Sequence, residues 1–135
     1  MLRKGVAALL GETEDIKVVA ETGDAEEVIA LLHSLKPDIV LIDTSGLDDG
    51  ISIIQKIITQ FPACKVIEFS TPIAKQSVDN ILSAGAMGFL LKESEPEELV
   101  EGIRTVMRGE IFLSSAVNHT VLEAYVEQIL SLIHI

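Results

Sequence analysis

Pro37-Asp38-Ile39-Val40-Leu41-Ile42-Asp43 constrains the fold more than any other stretch of this chain. Four consecutive apolar residues, three of them β-branched, stand between a proline and the turn-forming Thr44-Ser45-Gly46. Such a run predicts a strand buried on both faces of a parallel sheet, since only a strand covered twice carries apolar side chains at every position. The run ends on Asp43. In open α/β sheets ligands bind at the carboxyl ends of the strands, which makes Asp43 the first candidate functional residue.

The remaining chain alternates strand and helix signals. Leu2, Val6, Leu9 and Leu10 recur at helical spacing up to Gly11, with no strand before them. Ile16 to Thr22 predicts a strand, and Asp24 with Glu27 predicts the cap of a helix whose apolar face is Ala25, Val28, Ile29 and Leu32. After the Asp43 strand, Ile51, Ile54, Ile57, Ile58 and Phe61 mark a helix that Pro62 ends. Lys65 to Phe69 reads as a strand with Ser70-Thr71 at its carboxyl end, followed by a weaker helix carrying Val78, Ile81 and Leu82. Met87 to Leu91 is the next strand, with Lys92 at its end. Ser94-Glu95-Pro96-Glu97 predicts a capping box for a helix burying Leu99, Ile103, Val106 and Met107. Ile111 to Leu113 is a short extended piece, and Ser114 or Ser115 is a cap for a last helix through Ile129. Strands alternating with helices at this spacing predict right-handed βαβ units and a doubly wound parallel sheet.

Composition narrows the chemistry. A chain of 135 residues suits one domain, and 48% hydrophobic against 4% aromatic residues predicts an aliphatic core. The net charge of -11 argues against this segment gripping a phosphate backbone by itself. Its carboxylates suit a divalent cation or a basic partner. Cys64 is the single cysteine, which excludes an internal disulfide and fits a reducing cytosol. No apolar run approaches the ~20 residues that span a bilayer, so no membrane partner is expected and the expected location is cytoplasmic. His33, His119 and His134 show no metal-ligand spacing.

In a parallel sheet all carboxyl ends lie on one edge, so Asp43, Ser70 and Lys92 converge there despite their separation in sequence. Singly each has an ordinary reading: a turn aspartate, a helix-capping serine, a solvated lysine. Jointly they suit phosphoryl chemistry, with Asp43 as the nucleophile and Lys92 and Ser70 on the oxygens of the incoming group. A metal ion would offset charge as that group arrives.

With those residues in place, the chain resembles the receiver domain of two-component response regulators. The resemblance rests on Pro37 to Asp43, the Ser70-Thr71 strand end, Ala84 to Lys92, and Pro96-Glu97-Glu98-Leu99. It implies a flavodoxin-like (CheY-like) doubly wound sheet of strand order 2-1-3-4-5. Asp43 would be the phosphoacceptor for a sensor histidine kinase, Ser70 the switch hydroxyl, Phe89 the switch aromatic and Lys92 the phosphate-contacting lysine. Lys92-Glu93, Glu95 to Leu99 and Arg108 to Ser114 look like the NarL/FixJ subfamily, whose receivers precede a LuxR-type helix-turn-helix domain. DNA would then be reached only through that output domain, and a homodimer would form through the 73–108 face.

The resemblance also implies Mg2+, held by Asp43, the main-chain carbonyl of Ser45 and an acidic pair ending the family's first strand. Met1 falls inside the first helix, so that strand and its pair are expected to be missing. The organisation expected is an incomplete receiver over 1–113, a linker helix over 114–129 leading toward a missing output domain, and a tail over 130–135. Leu130-Ser131-Leu132-Ile133-His134-Ile135 matches the translation of a transposon end used in sequencing libraries, and is expected to be a read-through artefact. The chain is read as a phosphoacceptor module rather than an enzyme. Its alternative is a phosphorylation-independent pseudo-receiver acting through protein–protein contacts. A flavodoxin-like cofactor domain is disfavoured, because no Gly-rich phosphate loop follows any strand.

Overall fold

The structure is a computed structural model that describes residues 2–44, 49–70 and 75–114. Two compact units make it up, Met1–Asp38 and Ile39–Ile135. The first holds α1 (Leu2–Gly11) and α2 (Ala25–Leu35). Asp24 caps α2 through its side chain, accepting from the Glu26 N–H at 2.9 Å. The expected reach of Glu27 back to Asp24 is relayed by Thr22: its hydroxyl donates to the Glu27 carboxylate at 2.6 Å and accepts from the Asp24 N–H at 3.0 Å. Lys36 closes the helix in the left-handed region, with φ of 47°.

The second unit runs β1 (Ile39–Ile42), α3 (Gly50–Gln60), β2 (Lys65–Ser70), α4 (Lys75–Ser83), β3 (Gly88–Leu91), α5 (Pro96–Met107) and β4 (Phe112–Leu113). All pairings are parallel, in the order β1-β2-β3-β4. Each step from β1 to β3 encloses a helix, as short parallel connections require. The expected short extended piece is the edge strand β4, tied to β3 by bonds of 2.9 Å from the Phe112 N–H to the Met87 carbonyl and 3.0 Å from the Ser114 N–H to the Phe89 carbonyl.

Helices cover both faces. A Cβ on Gly102 of α5 would lie 3.0 Å from the Phe112 ring and 3.1 Å from the Leu90 side chain, and one on Gly88 would meet Ile67 at 3.0 Å and Val106 at 3.3 Å. These close approaches seat α5 on the face that carries Ile67, Gly88 and Leu90. Alternation along the strands then turns Val66, Glu68, Ser70 and Phe89 to the other face, toward α3 and α4. There Ile54, Ile57, Val66 and Phe89 are fully buried, and Gly85, in the left-handed region with φ of 114°, lets the turn into β3 press on Ile58. Among the described residues no helix is long and apolar enough to cross a membrane.

Four expectations are corrected. Among the described residues Ile16 to Thr22 forms no strand, and Val18 and Val19 are exposed. β-rich composition expresses fitness for a half-buried pleated surface, and it becomes sheet only beside a strand to pair with. β1 is half-buried rather than fully buried, because it stands at the end of the sheet with one paired edge among the described residues. The start of α5 is one residue later than the Ser94 box predicts: Glu95 is the cap residue and makes no side-chain cap bond, while Ser94 donates its N–H to the Leu91 carbonyl in the preceding turn. Pro96 and the acidic Glu97 and Glu98 still favour a helix start there. Met107, expected in the core, is exposed on the last turn. The expected last helix and the 130–135 tail lie outside the described residues, as do Thr71 and Pro72.

Candidate functional site

Three strands end side by side. Ile42 stands beside Glu68, and Ser70 beside Leu91. The Lys92 N–H donates to the Ser70 carbonyl at 2.8 Å, which carries the pairing one residue past β3. Asp43 and Lys92 therefore leave the sheet on the same edge, and the Lys92 ammonium forms an ion pair with the Asp43 carboxylate. The Lys92 side chain is 31% exposed and the Asp43 side chain 29%, open enough for a small donor to reach the carboxylate. A pair this wet contributes only ~0–1 kcal/mol to stability. Its consequence is orientation: the carboxylate is held toward the end of β3.

Ser70 is buried at the end of β2, on the same face as Glu68. Phe89 is fully buried on β3, in register beside Glu68. The structure thus brings Asp43, Ser70 and Lys92 to one edge, with Phe89 beneath it. Ser45, expected to offer its carbonyl to Mg2+, lies outside the described residues.

Sequence reasoning missed Glu68 and Thr44. Glu68 is fully buried, and its carboxylate accepts from the Thr44 N–H at 2.9 Å and from the Thr44 hydroxyl at 2.6 Å. Burial pushes the Glu68 carboxyl above its usual range; the two bonds from Thr44 pull it back, Asp43 pushes it up further and Lys92 pulls it down. The signal was present. In Lys65-Val66-Ile67-Glu68-Phe69 a carboxylate interrupts a run that otherwise reads as buried strand, and a buried acid is rare without dedicated partners.

Thr44 is itself held from the far side. A Cβ on Gly50 would stand 2.6 Å from the Thr44 Cβ and 3.3 Å from its carbonyl oxygen, so glycine lets the first turn of α3 close on the residue after Asp43. Gly50→Ala is expected to cost about 1–3 kcal/mol through overpacking. The measurement is a urea titration, in which the midpoint falls while the slope stays constant; an unmoved midpoint would contradict the close approach.

The sequence profile described as response regulator receiver domain matches residues 1–104. The chain belongs to that family. It is 39% identical over 118 residues to the transcriptional regulatory protein YhcZ of Bacillus subtilis, covering 87% of this chain and 55% of that protein. It is 36% identical to the nitrate/nitrite response regulator NarL of Escherichia coli, covering 86% of this chain and 54% of the relative. The chain therefore spans about half the length of the curated relatives it matches. Among solved structures, a LuxR-family two-component response regulator from an Aurantimonas species superposes with a TM-score of 0.86 at 28% identity, covering 93% of this chain and 90% of that one. The receiver domain of a NarL from Mycobacterium tuberculosis does so with a TM-score of 0.73 at 28% identity, covering 81% and 89%. The flavodoxin-like fold and the NarL/LuxR-type kinship expected from the sequence are both met.

Receiver domains generally bind Mg2+ at the phosphorylation site. Among the described residues no group of three His, Cys, Asp or Glu side chains is placed to hold a metal ion. Among the described residues Asp43 offers a carboxylate at this edge, while both Glu68 oxygens accept from Thr44. The described residues do not by themselves meet the near-octahedral oxygen demand of Mg2+.

Proposed function

We propose that this chain is the phosphoacceptor receiver of a two-component response regulator and that Asp43 takes the phosphoryl group. A carboxylate oxygen of Asp43 attacks phosphorus on the phosphohistidine of a sensor kinase. A P–O bond forms as the P–N bond breaks, and the departing imidazole nitrogen keeps the electron pair and takes up a proton. Lys92, paired with Asp43 beforehand, follows the added charge onto a phosphoryl oxygen, and the Ser70 hydroxyl donates to another. Phe89, in register with the strand that carries Ser70, repacks as Ser70 moves, altering the surface of α4, β3 and α5. That surface, over 73–108, is the proposed homodimer face.

Because YhcZ and NarL are regulators about twice this length, the proposed output is transcriptional control through a DNA-binding region outside the residues matched. The proposed setting is the cytoplasm, with the sensor kinase as partner and Mg2+ as cofactor of the intact domain. The Asp43–Lys92 ion pair at the shared strand edge is the observation that carries the reading.

The test uses the protein expressed from the full reading frame that contains this chain, treated with Mg2+ and acetyl phosphate. The expected result is a mass increase of one phosphoryl group, base-labile and absent in Asp43→Ala. No increase in the unmutated protein would favour the pseudo-receiver, a module that works by protein–protein contact alone.

A further inference from the structure

The residue after a strand-end nucleophile decides where that nucleophile points, because its peptide is the last fixed unit before the loop. Here that residue is Thr44. Its N–H lies beyond the last β1–β2 pair, Ile42 with Glu68, and finds its acceptor in a side chain instead of a strand backbone. The Glu68 carboxylate holds it at 2.9 Å and holds the hydroxyl of the same residue at 2.6 Å, and both residues are buried. A two-pronged grip on one residue fixes its rotation as well as its position, as a single bond does not. An apolar residue at position 68 would pack equally well in this strand and would leave the Thr44 N–H buried without an acceptor.

We propose that Glu68 is a positioning residue for Asp43: its carboxyl, clamped on the amide and hydroxyl of Thr44, sets the direction in which the Asp43 carboxylate meets Lys92 and an incoming phosphoryl group. Thr44 is the intermediary, and Gly50 closes the other side of the clamp. The register places Phe89 against Glu68 on the side away from β1, so the clamp lies between the nucleophile's strand and the buried aromatic. The inference rests on the reading of Asp43 as phosphoacceptor for its consequence, but the clamp has a readout of its own.

Three variants of the full-frame protein separate the possibilities. Glu68→Gln keeps the shape, with the amide oxygen accepting from the Thr44 N–H and the amide nitrogen donating to the Thr44 hydroxyl. Glu68→Val removes both partners, and Thr44→Val removes the hydroxyl prong alone. Two measurements are made on each: hydrogen exchange of the residue-44 amide, and the rate of phosphorylation by acetyl phosphate. Exchange is expected to quicken about tenfold or more in Glu68→Val, from the loss of one buried bond, and to stay near the unmutated rate in Glu68→Gln. Phosphorylation is expected to slow about tenfold or more in Glu68→Val, since small misplacements of a reacting group are costly. Thr44→Val is expected to fall between, and Glu68→Gln to rescue.

Unaltered exchange in Glu68→Val overturns the clamp, whatever the phosphorylation result. Unaltered phosphorylation in Glu68→Val and Thr44→Val overturns the positioning role. A Glu68→Gln protein as slow as Glu68→Val also overturns it, because charge would then matter and geometry would not. If Glu68→Val does not fold, Glu68→Gln and Thr44→Val decide by the same criteria. If the unmutated protein takes up no phosphoryl group, the proposed function fails, and the exchange measurement still decides the clamp.

Discussion

Phe89→Ala is expected to lower the unfolding free energy by about 3–5 kcal/mol, the usual cost of emptying a fully buried aromatic site. Phe89 is the largest fully buried side chain among the described residues and sits on β3, which is paired on both sides. Its neighbours in register are Glu68 on β2 and Leu113 on β4. Neither can move into the space without abandoning its own strand, so the cavity stays largely open and the full cavity penalty applies. Since a domain's whole stability is ~5–15 kcal/mol, the variant should melt far below the unmutated protein. Phe89→Leu, closer in volume, is expected to cost less than half as much. Thermal unfolding of the three proteins checks this. Equal midpoints for Phe89→Ala and the unmutated protein would mean that the ring is not packed as the register and burial require.

What the sequence announced, and what it hid, divide along physical lines. The strands and helices of the second unit were legible because each carries its own periodicity and its own punctuation. Pro37, Pro62, Gly85 and Pro96 each stand at a boundary, and the apolar residues between them repeat at one spacing. The edge constellation followed from topology alone: once the strands are parallel, Asp43, Ser70 and Lys92 share an edge, and the ion pair between the first and last is a consequence.

Three of the misses concern partners that lie elsewhere in the chain. Ile16 to Thr22 has strand composition, yet pairing depends on a neighbour, which composition does not record. β1 has the side chains of a central strand and occupies an end position among the described strands, so its half-burial could not be read from Ile39 to Ile42 themselves. Thr44 and Glu68 are 24 residues apart and meet only through the register that sets Ile42 beside Glu68. Only the oddity of a carboxylate within an apolar strand was visible beforehand.

That oddity leads to the second large effect, on the pH dependence of stability. Burial raises the folded-state pKa of Glu68 above the unfolded value of 4.5. Between those two values the native state holds a proton that the unfolded chain has released. By linkage, stability falls as pH rises wherever the native state binds more protons. Glu68 therefore contributes its full stability below pH 4.5, and that contribution is lost as pH climbs toward and through the folded value. Glu68→Gln, which keeps a neutral group of the same shape on Thr44, has no such loss. The variant should match the unmutated protein in strongly acid solution and become progressively more stable than it as pH rises to neutrality. Asp43 and Lys92 act on Glu68 with opposite sign, so neutralising Lys92 should steepen the trend and neutralising Asp43 should flatten it. Urea titrations of the two proteins from acid to neutral pH give the difference directly. A gap that stays constant, or one that closes as pH rises, would show that the carboxylate is not desolvated in the folded protein. A widening gap would mean that the clamp on Thr44 is held at a cost in stability at neutral pH. That is the trade expected where a strand core carries an acid for the sake of the residue beside its nucleophile.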